Sequence, residues 1–138
     1  MHVLITGATG FIGSHLAEAL HTKGYTLRCL VRKTSDLTWL KHLPVEYIYG
    51  DLFDEEALHK AVRDTDAVYH LAGVTKAKYK EDYFRGNHLA TKNLLESVLK
   101  YNPKIQRFNL VSSLTAVGPS TQEKAVDERS PFNPITTY

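Results

Sequence analysis

Cysteine occurs once in these 138 residues, at Cys29, so no disulfide can form within the chain. Disulfide-stapled secreted folds are thereby excluded, and the usage suits a reducing compartment, here the cytoplasm. Long apolar runs are also missing. Nothing approaches the roughly 18 consecutive apolar residues of a membrane span, so no membrane partner is expected. The opening MHVLITGATG passes directly into strand-like sequence without a basic, apolar and cleavage-site succession, which predicts no secretory signal. Charge of one sign is lacking as well, with 17 Lys and Arg against 15 Asp and Glu and a net charge of +2. These charges form no basic stripe interleaved with aromatics, so nucleic acid is not an expected partner. The histidines (His2, His15, His21, His42, His59, His70 and His88) show no metal-like spacing with Cys or carboxylates, and no metal site is expected. What remains is 43% hydrophobic and 23% charged residues, ordinary for a soluble globular chain, with length for one domain over 1–138.

Apolar β-prone runs alternate with helical patterns. The strand candidates are 2–5, 26–31, 45–49, 67–71 and 107–111. Helices are predicted over 12–23, where Ile12, Leu16, Ala19 and Leu20 share a face before Gly24, and over 55–63, with Asp54 as cap and Glu55 and Glu56 in the first turn. The longest is predicted over 82–100, stopped by Tyr101-Asn102-Pro103. A short helix is expected over 35–43, and 112–138 reads mostly as loop. Such β-α-β-α alternation implies a parallel sheet covered by helices on both faces, an α/β fold.

The first strand runs into TGATGFIGSHL, with Gly7, Gly10 and Gly13 in the pattern G-x-x-G-x-x-G at the strand-to-helix turn. Gly7 permits the tight turn, Gly10 lets the backbone approach a pyrophosphate, and Gly13 lets helix and strand pack closely. The helix N-terminus then offers unpaired N–H groups and a positive dipole end to phosphates. A purely structural turn is the plainer reading of glycines alone. Their place after a strand and before an amphipathic helix favours nucleotide binding.

The T-G-x-x-G-x-x-G spacing, with GDLFD (50–54), HLAG (70–73) and NHLATKNLLES (87–97), resembles the extended short-chain dehydrogenase/reductase family of epimerases, dehydratases and reductases. The resemblance covers essentially the whole chain. It implies a Rossmann-type doubly wound parallel sheet of order 3-2-1-4-5, truncated before the remaining strands. It also places Thr9, Phe11 and Ile12 of the glycine turn at the cofactor, Asp51 with Leu52 at its adenine, and Leu71, Ala72 and Gly73 along its ribose. Asn87 matches the asparagine of the family's long central helix, followed by Thr91 and Asn93.

An NAD-binding fold carries an acid near the end of the second strand that takes the adenosine ribose and repels a 2′-phosphate. This chain has LVRKTSD there, with Arg32 and Lys33 at the acid's place and Ser35 close by. Basic groups suit the 2′-phosphate of NADP, Arg especially through its planar fork. The alternatives are solvated side chains at a strand end, Arg32 stacked on the adenine of NAD, or Asp36 turning back to the ribose. NADP is the expected cofactor, with NAD as the alternative.

LVSSLTAVG after the fifth strand resembles the family's S-S-x-x-x-x-G segment, which puts Ser113 on the reacting substrate oxygen; taken alone, Ser112-Ser113 reads as a helix cap or turn. The sequence closes on NPITTY, and Tyr138 stands at the interval of the catalytic tyrosine of P-x-T-x-Y-x-x-x-K, the proton donor and acceptor. The lysine of that motif lies beyond it. The resemblance thus implies the N-terminal, cofactor-binding part of a larger enzyme that is inactive alone. The parent chemistry would be hydride transfer with a sugar nucleotide or another hydroxy or carbonyl compound, slightly favouring the dihydroflavonol-reductase-like branch. Thr75, Lys76 and Tyr79, beyond the fourth strand, are possible substrate-side residues. His70 reads as packed beside the cofactor, and Cys29 as a small core residue. The competing readings are a non-catalytic dinucleotide sensor and a structural domain. An unpaired fifth strand and the 82–100 helix suggest a homo-oligomer.

Overall fold

The alternation of side chains along His2–Thr6, the first strand (β1), divides the interior into two layers in the computed structural model, which describes residues 1–120 and 125–137. Val3 and Ile5 point into one core and Leu4 into the other, all three with 0% exposure. A strand buried on both sides must lie at the centre of a covered sheet. β1 does so, flanked by β2 (Thr26–Val31) and β4 (Ala67–His70), with β3 (Val45–Tyr49) and β5 (Arg107–Leu110) outside them. All pairings are parallel, and the order is β3-β2-β1-β4-β5. Helix α1 (Phe11–Thr22) covers the first core with Ala17 and Leu20. Helices α2 (Glu55–Val62) and α4 (Ala90–Tyr101) cover the second with Leu58, Val62, Leu94 and Val98.

The sequence-based elements agree with the structure to within a residue or so at most ends, and their stops have the expected causes. Gly24 has φ +81°; its N–H reaches the His21 carbonyl at 2.8 Å, and the Tyr25 N–H reaches the Leu20 carbonyl at 3.1 Å. This is a Schellman ending, which a left-handed residue makes possible. Asp54 caps α2 by accepting the Ala57 N–H at 3.0 Å.

Two expectations are corrected. No helix forms over 35–43. Asp36 Oδ1 instead accepts the Thr38 N–H at 2.9 Å and its hydroxyl at 2.6 Å, and the chain winds on through irregular turns. A nine-residue segment cannot offset the cost of helix nucleation by itself. Here Leu40, with 0% exposure, pulls it into the core. The long helix, expected over 82–100, begins at α3 (Lys80–Tyr83), widens into a π-helical segment over Phe84–Leu89 and continues as α4. Asn87 within that wide turn bonds both backbone polar groups of Val74, so its position is dictated from outside the helix.

Arg28 was unremarkable in the sequence and is an organising residue in the structure. It is 9% exposed, pairs with Glu46 Oε2 at 2.7 Å through Nε, and donates through one terminal nitrogen to the carbonyls of Lys60, Ala61 and Arg63. A strand cation thus caps the C-terminal end of α2, where unpaired carbonyls and the helix dipole both favour positive charge. We expect Arg28→Met to lower stability by about 2–3 kcal/mol, because a charged donor to several otherwise unpaired acceptors is lost. Urea unfolding checks this: the midpoint should fall with little change in slope. A loss below about 0.5 kcal/mol would show that solvent replaces the cap without cost.

Candidate dinucleotide cleft

The carboxyl ends of β1 to β4 open into a cleft of about 500 Å³. Gly7, Thr9, Gly10, Arg32, Ser35, Asp51, Leu52, Leu71, Ala72 and Gly73 from the sequence reading all line it. The glycines differ in why they are needed. Gly7 has φ +74°, and a Cβ there would lie 2.6 Å from the Ala72 nitrogen; one on Gly13 would lie 2.2 Å from the Gly7 carbonyl oxygen. These two are demanded by the fold. A Cβ on Gly10 would meet only the Gly7 oxygen at 3.4 Å, so the protein itself hardly presses on it. Its bare backbone leaves open space for a bound group on the cleft side.

Helix α1 starts at Gly10 with no side-chain cap and no acid in its first turn, whereas α2 has both. The first-turn N–H groups have no intrahelical acceptor, and the positive dipole end is uncompensated, which makes a site for phosphate. Phe11 and Ile12 stand in that turn, 81% and 63% exposed, outside the cleft lining.

At the end of β2, Arg32 and Ser35 face the cleft, with the Ser35 hydroxyl accepting the Arg32 N–H at 3.2 Å. Lys33 is exposed and lies outside the lining. Asp36 is held by Thr38, whose side-chain and backbone hydrogen bonds keep its carboxyl below the usual range, and it too lies outside the lining. After β3, Asp51 Oδ1 accepts the Phe53 N–H at 2.7 Å, while the Leu52 carbonyl accepts from Asn93 at 2.9 Å.

Asn87 lines no part of the cleft. It accepts the Val74 N–H at 2.7 Å and donates to the Val74 carbonyl at 3.0 Å, fixing the loop that does. Behind that loop His70 is fully buried between Thr6 and Thr91. Thr91 donates its hydroxyl proton to the Asn87 carbonyl at 2.6 Å, so toward His70 it offers only a lone pair. His70 therefore donates from Nε2 at 2.9 Å and accepts from the Thr6 hydroxyl at Nδ1 at 2.5 Å. Thr6 in turn accepts the Ala72 N–H at 3.4 Å. The chain of donors has one direction and requires a neutral imidazole, and burial does push the His70 pKa down to about 4.

Ser113 lies after β5 as the cap of a one-turn 3-10 helix (Leu114–Ala116), outside this cleft. Its oxygen accepts the Thr115 N–H at 3.2 Å and the Thr115 hydroxyl at 2.9 Å, which leaves its own proton to donate. The structure shows the serine as a turn cap that keeps a donor. Tyr138 lies outside the described residues. Thr75, Lys76 and Tyr79 are exposed beyond β4, outside the lining. Cys29 is buried within β2, and burial pushes its thiol up to about 12. Among the lining residues that the sequence reading missed are Phe53, Val74, Arg85 and Gly86. Arg85 and Gly86 belong to the π-helical segment, and no periodicity signals that widening.

The sequence model of the NAD dependent epimerase/dehydratase family matches residues 3–138. A ceramide reductase of Caulobacter vibrioides is 37% identical, over 93% of this chain and 39% of that protein. A putative dihydroflavonol 4-reductase of Synechocystis is 34% identical, over 90% of this chain and 36% of its own length. Among solved structures, a UDP-glucuronic acid 4-epimerase of Bacillus cereus in complex with NAD superposes with a TM-score of 0.83, at 30% identity, over 100% of this chain and 47% of that one. The chain spans less than half the length of each of these proteins.

The neutral His70 has a measurable consequence. Its pKa is lowered from 6.5 to about 4 on folding, so between those values the unfolded chain binds the proton more readily. Stability tied to His70 is therefore fully present above pH 6.5 and is lost as pH falls toward 4, by up to about 3 kcal/mol. Urea midpoints at pH 7.5 and pH 4.5, compared with His70→Gln, isolate this from other titrating groups. The loss should be about 2–3 kcal/mol smaller in the variant; equal losses would mean that His70 is not held neutral.

Proposed function

We propose, from the premise that this chain belongs to the NAD-dependent epimerase/dehydratase family, that it binds the dinucleotide of an NADP-dependent reductase. Its relatives include proteins named as reductases and as epimerases; the VRKTSDLTWL run at the end of β2 favours the reductase side. A nicotinamide dinucleotide fits the site on grounds of this structure alone: open space over Gly10, an uncapped helix N-terminus and a carboxylate at Asp51. The choice of NADP rests on one observation. Arg32 faces the cleft at the end of β2, while Asp36, the next acid along the chain, is turned onto Thr38. Among the described residues of the loop after β2, none offers a carboxylate to the cleft lining that would repel a 2′-phosphate.

In this reading the α1 amides and Gly10 take the diphosphate, Asp51 accepts from the adenine amino group, and Arg32 with Ser35 holds the 2′-phosphate. The bound dinucleotide supplies the hydride exchanged with a substrate C–OH or C=O carbon. Ser113 orients the reacting oxygen with the proton it has free, and Tyr138 exchanges a proton with the same oxygen. A phenol transfers protons well near neutral pH only when nearby cations lower its pKa of about 10. The substrate is a small hydroxy or carbonyl compound, sugar nucleotides included. No described helix is long and apolar enough to cross a membrane.

Calorimetric titration with NADPH and NADH tests the cofactor. NADPH should bind about 10- to 150-fold more tightly, the value of a charge-assisted contact worth about 1.5–3 kcal/mol, and Arg32→Asp should abolish the difference. Equal affinities, or tighter NADH, would overturn the choice of NADP. In the whole protein, Ser113→Ala should lower kcat by about 10²–10³ and Tyr138→Phe by about 10²–10⁴, with cofactor affinity unchanged. Cofactor binding with no turnover of any hydroxy or carbonyl substrate would point to a dinucleotide sensor.

A further inference from the structure

Phe53 follows Asp51 and Leu52 in the loop after β3, and Arg85 lies in the π-helical segment ahead of α4. The Arg85 guanidinium carbon sits 3.9 Å from the centroid of the Phe53 ring, and both residues line the cleft. Each half of the pair is held at its base. Asp51 fixes the Phe53 backbone through its N–H, and Asn93 ties the preceding Leu52 carbonyl to α4. Two residues beyond Arg85, Asn87 locks onto Val74. The guanidinium itself has no ion pair or hydrogen bond among the described residues; the ring is its partner. Held in this cation–π contact, the guanidinium keeps its N–H donors available. It also joins two cleft walls that come from distant parts of the sequence.

We propose that Arg85, held by Phe53, is a cofactor-affinity residue that closes over the adenosine half of the dinucleotide. This rests on the dinucleotide reading of the cleft and extends it to a residue on the α4 side. Asp51 and Phe53 belong to one short loop, so a group whose base meets Asp51 lies next to the Arg85–Phe53 pair. Arg32 reads the 2′-phosphate from the end of β2, while Arg85 acts from the π-helical segment beside Phe53 and does not depend on that phosphate. It therefore tightens NADPH and NADH alike. Its planar shape matters as well as its charge, since only a flat cation can rest on the ring and present donors in its own plane.

The test is calorimetric titration of the whole protein with NADPH, 5′-AMP and nicotinamide mononucleotide, using wild type, Arg85→Ala, Arg85→Lys, Phe53→Leu and the Arg85→Ala/Phe53→Leu pair. Arg85→Ala should weaken NADPH and 5′-AMP by about 5- to 30-fold and leave nicotinamide mononucleotide unchanged. Arg85→Lys should recover little of the loss. The double variant should be no weaker than the worse single one, the mark of two groups acting as a unit. Arg85 is exposed, so thermal melts of its variants should match wild type. Wild-type affinity in Arg85→Ala, full recovery in Arg85→Lys, or additive losses in the double variant would each overturn the proposal and leave the dinucleotide reading intact. No binding of any of the three ligands by wild type would overturn both.

Discussion

Because Thr91 gives its hydroxyl proton to the Asn87 carbonyl, every polar group inward of it has its role assigned. His70 must donate at Nε2 and accept at Nδ1; Thr6 must donate to His70 and can then only accept from the Ala72 amide. The outcome is a single polarity running from the loop that walls the cleft, through the buried ends of β1 and β4, to the long helix. In a low-dielectric interior such a chain strengthens when complete and is costly when one member is missing. Its endpoint, Asn87, then uses its side chain to hold both polar groups of Val74. The cleft wall after β4 is set by the helix rather than by the strand it leaves.

The same helix reaches the loop after β3 through Asn93 and the Leu52 carbonyl. Loops usually carry function because a rigid scaffold positions them. Here the scaffold is one continuous run of helix whose π-helical widening lets Arg85, Asn87 and the following α4 residues serve different loops at once. Single-turn π segments often mark functional sites for this reason. The glycine turn is independent of this arrangement and relies on its own backbone, with Gly7 and Gly13 packed against neighbouring main chain.

What the sequence made legible follows that division. The glycine turn, the strands and the Asp54 cap depend on residues a few positions apart, so spacing alone reveals them. Arg32 and Ser35 could be placed at the cleft because they follow a strand whose end was readable. Arg28, by contrast, looks like a strand residue until α2 folds back over it, and its partners lie 18 to 35 positions away. Arg85 is hidden in the sequence because the π-helical widening around Asn87, which holds Val74, carries no periodic signal. The helix expected over 35–43 does not form because Asp36 begins a turn and the chain then winds Leu37, Leu40 and Leu43 onto the core.

Cys29 lies in the middle of β2, between Ile5 and Tyr47 on the neighbouring strands, with 0% exposure. With its pKa pushed up to about 12 by burial, almost none of it is thiolate near neutral pH, and no reagent can reach it from solvent. Its rate of alkylation is therefore a clock for excursions in which the sheet comes apart. As the one sulfhydryl in the chain, it would report the free energy of that opening without any label being engineered in.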